Sequence, residues 1–227
     1  MKCVILAGGR GSRISEYTNS IPKPMIPISG KPLLYRIMKH YSDYGHKDFI
    51  IAAGYKKNII ISYFRKKNFP GWKVHVVDTG KNTMTGGRLK RLQKYLKNET
   101  FMLTYGDGLS NVNIKNLLAF HKKNKKISTL TSVRPPARFG SIKIKGNQVT
   151  YFKEKSKLDE GWINGGFFVF EPEIFKYIKG DNTYLEKDPL EKISSLKQLY
   201  AYKHHGFWQC VDTIRDKELL EKNLKKI

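Results

Sequence analysis

Short apolar runs alternate along the chain with longer segments in which apolar residues recur every three or four positions. Runs rich in β-branched and aromatic residues predict buried strands, at 2–5, 49–53, 74–77, 100–104, 128–133, 142–144, 148–152, 162–170 and 207–213. The helical spacing predicts helices at 32–44, around 59–64, at 87–96, at 114–123 and from residue 216 onward. Strands that alternate with amphipathic helices indicate an α/β fold, in which one sheet carries helices on its faces.

Length and composition limit the number of domains and the compartment. The 227 residues, 40% of them hydrophobic, suffice for one core, and the chain has no linker, repeat or low-complexity segment, so we predict a single domain over 1–227. No apolar run is long enough to cross a membrane, and the N-terminus leads into a strand rather than a secretory signal. Cys3 and Cys210, without a CxxC pair, argue against a zinc site and a disulfide. We therefore expect a cytoplasmic protein with no membrane partner.

The charge balance is compatible with a polyanionic ligand but does not decide the function, because lysine runs such as the one at 122–126 are usually solvated faces. The chain has 43 Lys and Arg residues against 19 Asp and Glu residues, a formal net charge of +24. Either nucleic acid or a phosphate-bearing substrate would match this charge. A single-strand-binding surface combines aromatic with basic residues, whereas the aromatic residues of the run 162–170, Trp162 among them, have no Lys or Arg between them. This pattern predicts a core strand, and we expect no nucleic-acid partner.

The stretch LAGGRGSR, which begins at Leu6, follows the first predicted strand. Its three glycines lack side chains, so backbone N–H groups can approach an anion closely. Ser12 adds a hydroxyl donor and Arg13 a fixed positive charge. The loop would suit a phosphate chain. It is neither a Walker A loop nor a GxGxxG fingerprint, and a tight turn that only reverses the chain is the alternative.

A cation and two carboxylates form the second group of candidate residues. Lys23 lies between Pro22 and Pro24, which stiffen the backbone around it. Asp107 and Asp212 each follow an apolar run, and open α/β sheets bind ligands at such strand ends. Mg²⁺ binds carboxylates together with phosphate oxygens, and Lys and Arg neutralise charge on a transferred phosphoryl group. The set fits phosphoryl or nucleotidyl transfer, although an Asp-Gly turn is the alternative explanation of Asp107.

Two further glycine-rich segments are open to two interpretations. TMTGGR, at 83–88, precedes a helix whose free N–H groups could bind an anion or a base edge, but an ordinary capped helix start is the preferred interpretation from these residues alone. NGG, at 164–166, interrupts an apolar strand, where glycine often indicates close approach by a ligand. No nucleophilic triad can be placed from spacing, and adjacent His204 and His205 have no third metal ligand nearby.

Taken in order, six segments of the chain resemble the sugar-phosphate nucleotidyltransferases, or nucleotide-sugar pyrophosphorylases. They are LAGGRGSR, PKPM, VDTGKNTMTGGRLKR, TYGDG, INGGFFV and FWQCVDTIRDK. TMTGGRLKR and INGGFFV are similar to the cytidylyl branch. The resemblance implies a Rossmann-like three-layer α/β/α sandwich with a mixed, mostly parallel sheet of the nucleotide-diphospho-sugar transferase type. It also implies a homo-oligomer that condenses CTP with a sugar 1-phosphate, preferably glucose 1-phosphate, to a CDP-sugar and pyrophosphate by Mg²⁺-dependent in-line displacement.

The resemblance implies roles for individual residues on the nucleotide side. The first loop would hold the base and phosphates, and the cytidine half would contact the TMTGGR segment. The implied nucleotide-binding residues are Leu6, Ala7, Gly8, Gly9, Gly11, Ser12, Arg13, Lys23, Thr83, Arg88 and Gly106. Lys23 would bind the α-phosphate and stabilise its pentacoordinate transition state, with Arg13 and Asp107 as further catalytic residues.

On the other side of the site, the resemblance implies that Asp107 and Asp212 hold Mg²⁺. Lys155 would bind the sugar phosphate, and Asn164 and Gly165 would lie near the sugar.

Three departures from the family pattern leave the acceptor open. The connection at 65–71 is short, Ser156 follows Lys155 where proline is usual, and Cys210 also stands where the family tends to have proline. The alternatives are the same chemistry with another nucleoside triphosphate or with another phosphorylated acceptor.

Overall fold

A computed structural model describes residues 1–67, 69–135, 141–153 and 161–224. The strands are Lys2–Ala7 (β1), Pro27–Ile28 (β2), Lys31–Pro32 (β3), Asp48–Ala53 (β4), Lys73–Asp78 (β5), Phe101–Tyr105 (β6), Gly108–Ser110 (β7), Ser128–Val133 (β8), Ser141–Lys145 (β9), Gln148–Lys153 (β10), Ile163–Phe170 (β11), Leu199–Lys203 (β12) and Trp208–Cys210 (β13). The α-helices are Ser15–Thr18 (α1), Leu33–Asp43 (α2), Lys57–Lys66 (α3), Thr85–Arg91 (α4), Gln93–Leu96 (α5), Ile114–Asn124 (α6), Asp188–Ser195 (α7) and Ile214–Leu224 (α8). Short 3₁₀ helices cover Ser12–Ile14, Lys23–Met25 and Pro172–Tyr177.

Seven of these strands form one mixed sheet in the order β12-β8-β11-β6-β1-β4-β5. Only β11 runs antiparallel to its two neighbours, and the other pairings in this sheet are parallel. The carboxyl ends of the six parallel strands therefore share one edge, where β11 begins. Ligands of open α/β sheets bind at this edge.

Helices cover both faces of the sheet, because alternate side chains of each strand point to opposite faces. Cys3, Ile5 and Ala7 pack in a core with α2, α3, α6 and α8. Val4 and Leu6 pack in a second core with α4, α5, α7 and the 3₁₀ helix Pro172–Tyr177. The predicted three-layer α/β/α architecture with a mostly parallel sheet is confirmed.

The structure differs from the sequence-based prediction at a few elements. The helix predicted at 87–96 begins at Thr85 and is divided into α4 and α5 by a single residue, Leu92, with φ −90° and ψ −2°. Strand β12 and helix α7 were not predicted from the sequence. β12 pairs through β8 alone as an edge strand of the sheet, and most of its residues face solvent. Its apolar residues, Leu199 to Tyr202, are a strand signal that the sequence-based prediction did not use.

Trp162 is not in the core, contrary to the prediction. It precedes β11 and is half-buried, with the Arg134 guanidinium 5.1 Å and the Lys203 ammonium 5.7 Å from its ring centroid. Phe167 and Phe168 of the same run are fully buried. The prediction failed because Trp162 lies beyond the end of the strand, where basic residues from β12 and from the end of β8 can reach it.

Both cysteines are free thiols, as expected. Among the described residues, no helix has the length and apolar character that a membrane span requires.

Candidate active site

Two short strands bring Asp107 and Asp212 together from opposite halves of the sequence. β7 and β13 pair antiparallel, with Gly108 opposite Cys210. Asp107 immediately precedes β7, and its carbonyl oxygen accepts a hydrogen bond from Val211 N–H at 2.8 Å. Asp212 follows β13, so both carboxylates lie at the same end of this pair. The segments YGDG, at 105–108, and CVDT, at 210–213, therefore contribute their aspartates to one site.

The ammonium group of Lys23 lies between these carboxylates. Its Nζ donates to Asp107 Oδ2 at 2.8 Å and to Asp212 Oδ1 at 2.6 Å. The Lys23 side chain is only 9% exposed. Burial lowers the pKa of Lys23, but the attraction of the two carboxylates outweighs burial, and the net shift of its pKa is upward. Lys23 therefore carries its charge at neutral pH.

The prolines around Lys23 fix its position at the sheet edge. Lys23 opens the 3₁₀ helix Lys23–Met25. Pro24 packs against the backbone at Gly106, where an ideal Cβ would lie 3.0 Å from Pro24 Cγ and 2.9 Å from the Leu6 carbonyl oxygen. Gly106 N–H donates to that same oxygen at 3.0 Å. Glycine at 106 thus lets the first loop, the Lys23 segment and the Asp107 turn approach one another.

Arg13 reaches one of these carboxylates, that of Asp212, from the first loop. Its Nη1 donates to Asp212 Oδ2 at 2.7 Å, while its side chain is 72% exposed. Exposed ion pairs contribute little to stability. Arg13 can therefore exchange Asp212 for an anionic ligand at small cost.

Asp216 holds the backbone of Asp212 in place and was not identified from the sequence. Its Oδ2 accepts hydrogen bonds from Asp212 N–H at 3.1 Å and from Thr213 N–H at 3.0 Å. Thr213 Oγ1 accepts from Asp216 N–H at 3.1 Å. This reciprocal pattern is a capping box at the start of α8, and the T-x-x-D spacing in VDTIRD is the signal that could have revealed it.

The two carboxylates fit a divalent cation. Their oxygens already converge on one positive group, the Lys23 ammonium. Mg²⁺ needs one or two protein carboxylates when substrate phosphates supply further oxygens. Among the described residues, no group of three or more His, Cys, Asp or Glu side chains could hold a metal on its own. The donor set is therefore one for a metal that arrives with a phosphate ligand.

The first loop is partly open to solvent. Gly9, Ser12 and Arg13 are exposed, whereas Leu6, Ala7 and Gly8 are buried. An ideal Cβ at Gly9 would meet nothing within 4 Å, so no protein contact requires glycine there. Gly11 has φ +66°, a conformation that favours glycine.

Arg88 lies beneath the loop rather than at its surface. It is only 4% exposed. Its Nη2 donates to the Gly8 carbonyl oxygen at 2.9 Å, and its Nη1 donates to the Gly80 carbonyl oxygen at 2.7 Å and to Thr79 Oγ1 at 2.9 Å. The guanidinium therefore joins the loop after β1 to the loop after β5. Its donors meet protein oxygens, and the contact with cytidine that the resemblance implied stays a prediction.

The glycines of TMTGGR pack against the segment before α7. Gly87 N–H donates to the Thr183 carbonyl oxygen at 3.1 Å, and Met84 N–H donates to the Asp181 carbonyl oxygen at 2.8 Å. An ideal Cβ at Gly87 would lie 2.4 Å from that Asp181 oxygen. In the first turn of α4, the Gly87 N–H is thus satisfied by a backbone carbonyl oxygen, without a side-chain cap. Thr83, 7% exposed, packs against Gly80.

The NGG segment lies beside Tyr105, the residue before Gly106. Asn164 Nδ2 donates to the Tyr105 hydroxyl at 3.2 Å, and Asn164 Oδ1 accepts from Gly166 N–H at 2.8 Å. Gly166 has φ +78°, and an ideal Cβ there would lie 2.5 Å from the Tyr105 ring. At Gly165 a Cβ would lie 2.8 Å from Val133 Cγ1. Protein packing therefore accounts for glycine at both positions, and the close approach by a ligand that the sequence suggested stays a prediction.

Lys155, the expected sugar-phosphate contact, lies outside the described residues. Every other predicted site residue is described and lies at or just beneath the edge where the parallel strands end. Direct contacts link Arg13, Lys23, Asp107 and Asp212, while Asn164 is linked to them through Tyr105 and the backbone.

Relatives of known name match nearly the whole chain. Glucose-1-phosphate cytidylyltransferase of Salmonella typhimurium is 46% identical, with 97% of this chain and 95% of that protein covered. Probable glucose-1-phosphate cytidylyltransferase of Bacillus subtilis is 40% identical, over 98% and 95% of the two chains. The crystal structure of HddC from Yersinia pseudotuberculosis is similar with a TM-score of 0.77 and 28% identity, over 98% of this chain and 99% of that one.

The family described as nucleotidyl transferase matches residues 2–221. The resemblance read from the six sequence motifs is therefore confirmed at the level of the family. With the fold, the matched length and the identity to its relatives in agreement, this chain belongs to the nucleotidyl transferase family.

Proposed function

We propose that this protein condenses CTP with glucose 1-phosphate to give CDP-glucose and pyrophosphate. The observation that carries the proposal is the buried Lys23 ammonium held between Asp107 and Asp212 at the carboxyl edge of the sheet. The choice of nucleotide and sugar follows the names of the relatives that are 46% and 40% identical.

The proposed step is an in-line displacement. A phosphate oxygen of the sugar 1-phosphate attacks the α-phosphorus of CTP, one P–O bond forms, and the bond to the β-phosphate breaks to release pyrophosphate. Such a step needs positioning and stabilisation of negative charge rather than a covalent enzyme intermediate. Lys23 supplies a charge already fixed in place, and such preorganised cations stabilise developing charge effectively.

Lys23 must change partners in this proposal. Its ammonium donates to the two carboxylates in the structure, and it would donate to the α-phosphate when CTP is bound. The bound divalent cation, held by Asp107 and Asp212, would neutralise charge on the phosphates. Arg13 is exposed and forms an ion pair with Asp212. In this proposal its guanidinium would bind the triphosphate instead.

The first loop would bind the triphosphate through its exposed part. Gly9 and Ser12 are exposed, and an ideal Cβ at Gly9 would meet nothing within 4 Å, so their backbone N–H groups would bind phosphate oxygens beside Arg13. Arg88 would support this loop from below. On the acceptor side, Asn164 and Gly165 would lie near the sugar and Lys155 would contact its phosphate.

Pyrophosphate release measured across the four ribonucleoside triphosphates and a panel of sugar 1-phosphates tests the proposal. We expect release with CTP and glucose 1-phosphate in the presence of Mg²⁺ and loss of release when the metal is chelated. If pyrophosphate is released only with another triphosphate or only with another sugar 1-phosphate, the proposed substrate is wrong. Absence of release from every pair would overturn the proposed reaction.

A further inference from the structure

Glu186, on the segment before α7, receives hydrogen bonds from two parts of the site. Tyr105 donates its hydroxyl proton to Glu186 Oε1 at 2.7 Å. Thr85, the first residue of α4, donates to Glu186 Oε2 at 2.6 Å. We propose that Glu186 is a positioning residue for the acceptor half of the site, acting through Tyr105 on Asn164. This inference rests on the proposed function, because it assigns Asn164 to the sugar side.

The orientation of the Tyr105 hydroxyl explains how Glu186 reaches Asn164. A phenol has one proton to donate and lone pairs to accept. At neutral pH a tyrosine hydroxyl carries its proton, and the short distance to Glu186 Oε1 places that proton between the two oxygens. With that proton directed at Glu186, the oxygen presents a lone pair to Asn164 Nδ2 at 3.2 Å.

Asn164 is thereby held at both ends of its amide. Its Nδ2 donates to Tyr105, and its Oδ1 accepts from Gly166 N–H at 2.8 Å. The bulge at Gly166, with φ +78°, places that N–H within reach. Two fixed hydrogen bonds settle which end of the amide is oxygen and which is nitrogen, so a sugar hydroxyl would meet a defined donor.

Only a carboxylate can accept both hydroxyl protons at this position. In a Glu186→Gln variant one oxygen is replaced by an NH₂ group, which donates and cannot accept. If the NH₂ group faces Tyr105, the phenol proton loses its acceptor. If it faces Thr85, the Thr85 hydroxyl proton loses its acceptor, because an NH₂ group only donates.

The inference can be tested by steady-state kinetics of the Glu186→Gln variant. The two substrates, CTP and glucose 1-phosphate, are varied in turn. We expect the KM for glucose 1-phosphate to rise about 10-fold, the effect of losing one buried hydrogen bond, and the KM for CTP to change by less than about 3-fold. Glu191→Gln, an exposed carboxylate of α7, is the matched control and should match the wild type in both KM values.

A double-mutant cycle with Tyr105→Phe separates positioning from a general loss of stability. If Glu186 acts through Tyr105, the Glu186→Gln/Tyr105→Phe double variant should bind glucose 1-phosphate no worse than Tyr105→Phe alone. Calorimetric titration of glucose 1-phosphate gives these affinities without turnover. If Glu186→Gln does not fold, the Tyr105→Phe variant alone tests the inference, because we expect it to weaken binding of glucose 1-phosphate about 10-fold.

Three results would overturn the inference. They are equal rises in both KM values for Glu186→Gln, additive effects in the cycle, and wild-type affinity for glucose 1-phosphate in Tyr105→Phe. In each, wild-type protein still binds glucose 1-phosphate and releases pyrophosphate, so the proposed function stands. Wild-type protein that binds no sugar 1-phosphate would overturn both.

Discussion

The guanidinium of Arg88 lies directly against the backbone of Gly8. Arg88 Nη2 donates to the Gly8 carbonyl oxygen at 2.9 Å, and an ideal Cβ at Gly8 would lie 2.1 Å from Arg88 Nη1. The glycine at position 8 is therefore required by a protein side chain. Gly8 therefore belongs to the part of the first loop that the fold requires, whereas exposed Gly9 belongs to the part that is open to a ligand.

Arg88→Met should destabilise the protein more than it affects the chemistry. The variant leaves the carbonyl oxygens of buried Gly8 and half-buried Gly80 without their charged donor, and we expect the free energy of unfolding to fall by about 3 kcal/mol. Urea unfolding measures this loss, with Arg91→Met as the control, since Arg91 forms an exposed ion pair with Asp181. An unchanged unfolding midpoint together with a raised KM for CTP would indicate direct contact with the nucleotide instead.

Gly9→Ala should have the opposite effect. The added Cβ meets nothing within 4 Å in the protein, so the melting temperature should stay the same. If the loop holds the triphosphate, the methyl group occupies ligand space, and the KM for CTP should rise about 10-fold. Gly180→Ala is the control for the loss of a loop glycine, because a Cβ at Gly180 would also meet nothing within 4 Å. Unchanged affinity for CTP in Gly9→Ala would remove this part of the loop from the nucleotide site.

The sequence predicted the sheet, its flanking helices and the two acidic turns because each is encoded locally. Apolar runs mark buried strands whatever their neighbours are, and Asp107 and Asp212 each follow such a run. The partners of Arg88 could not be read in the same way, since its hydrogen bonds reach Gly8, on a loop far away in the sequence.

The packing partners of the glycine-rich motifs could not be predicted from the sequence for the same reason. Gly87 packs against Asp181, and Gly166 packs against Tyr105. Each glycine is conspicuous in the sequence, while the element that requires it lies elsewhere in the chain. Glu186 gave no signal at all, because a single glutamate in a polar segment is ordinary and its role depends on two hydroxyl groups brought to it by the fold.

Asp107→Asn and Asp212→Asn should each lower pyrophosphate release by about 100-fold or more, because each removes a charge that the proposed metal site needs. Asparagine keeps the shape of the side chain, and Lys23 retains its other carboxylate, so circular dichroism and thermal melting should show a folded protein. Asp43→Asn, at an exposed ion pair with Lys39, is the control. Normal turnover in either active-site variant would exclude that residue from the metal site.

Lys23→Met should lower kcat much more than it raises the KM for CTP. The ammonium is held in place before substrate binds, and a preorganised cation contributes most where charge develops. We expect kcat to fall about 100-fold and the KM for CTP to rise less than about 10-fold. Lys39→Met, at an exposed helix pair, is the control. Equal effects on both constants would assign Lys23 to substrate binding alone.

Acid should destabilise the protein partly through His40. Burial lowers the pKa of His40 below its ordinary value of 6.5, although its hydrogen bond to the Val112 carbonyl oxygen and the charge of Asp43 oppose this shift and nearby His204 adds to it. The unfolded chain therefore takes up a proton first as pH falls. The contribution of neutral His40 to the free energy of unfolding is therefore complete above about pH 6.5 and decreases below it.

His40→Gln keeps a hydrogen-bond donor for Val112 and removes the titration. Urea unfolding at pH 5, 6 and 7 should show a smaller loss of unfolding free energy with acid in this variant than in the wild type. Some loss should remain, because the pKa values of His46 and His204 are also lowered, chiefly by burial. If His40→Gln and the wild type lose the same unfolding free energy between pH 7 and pH 5, His40 does not contribute to the acid sensitivity.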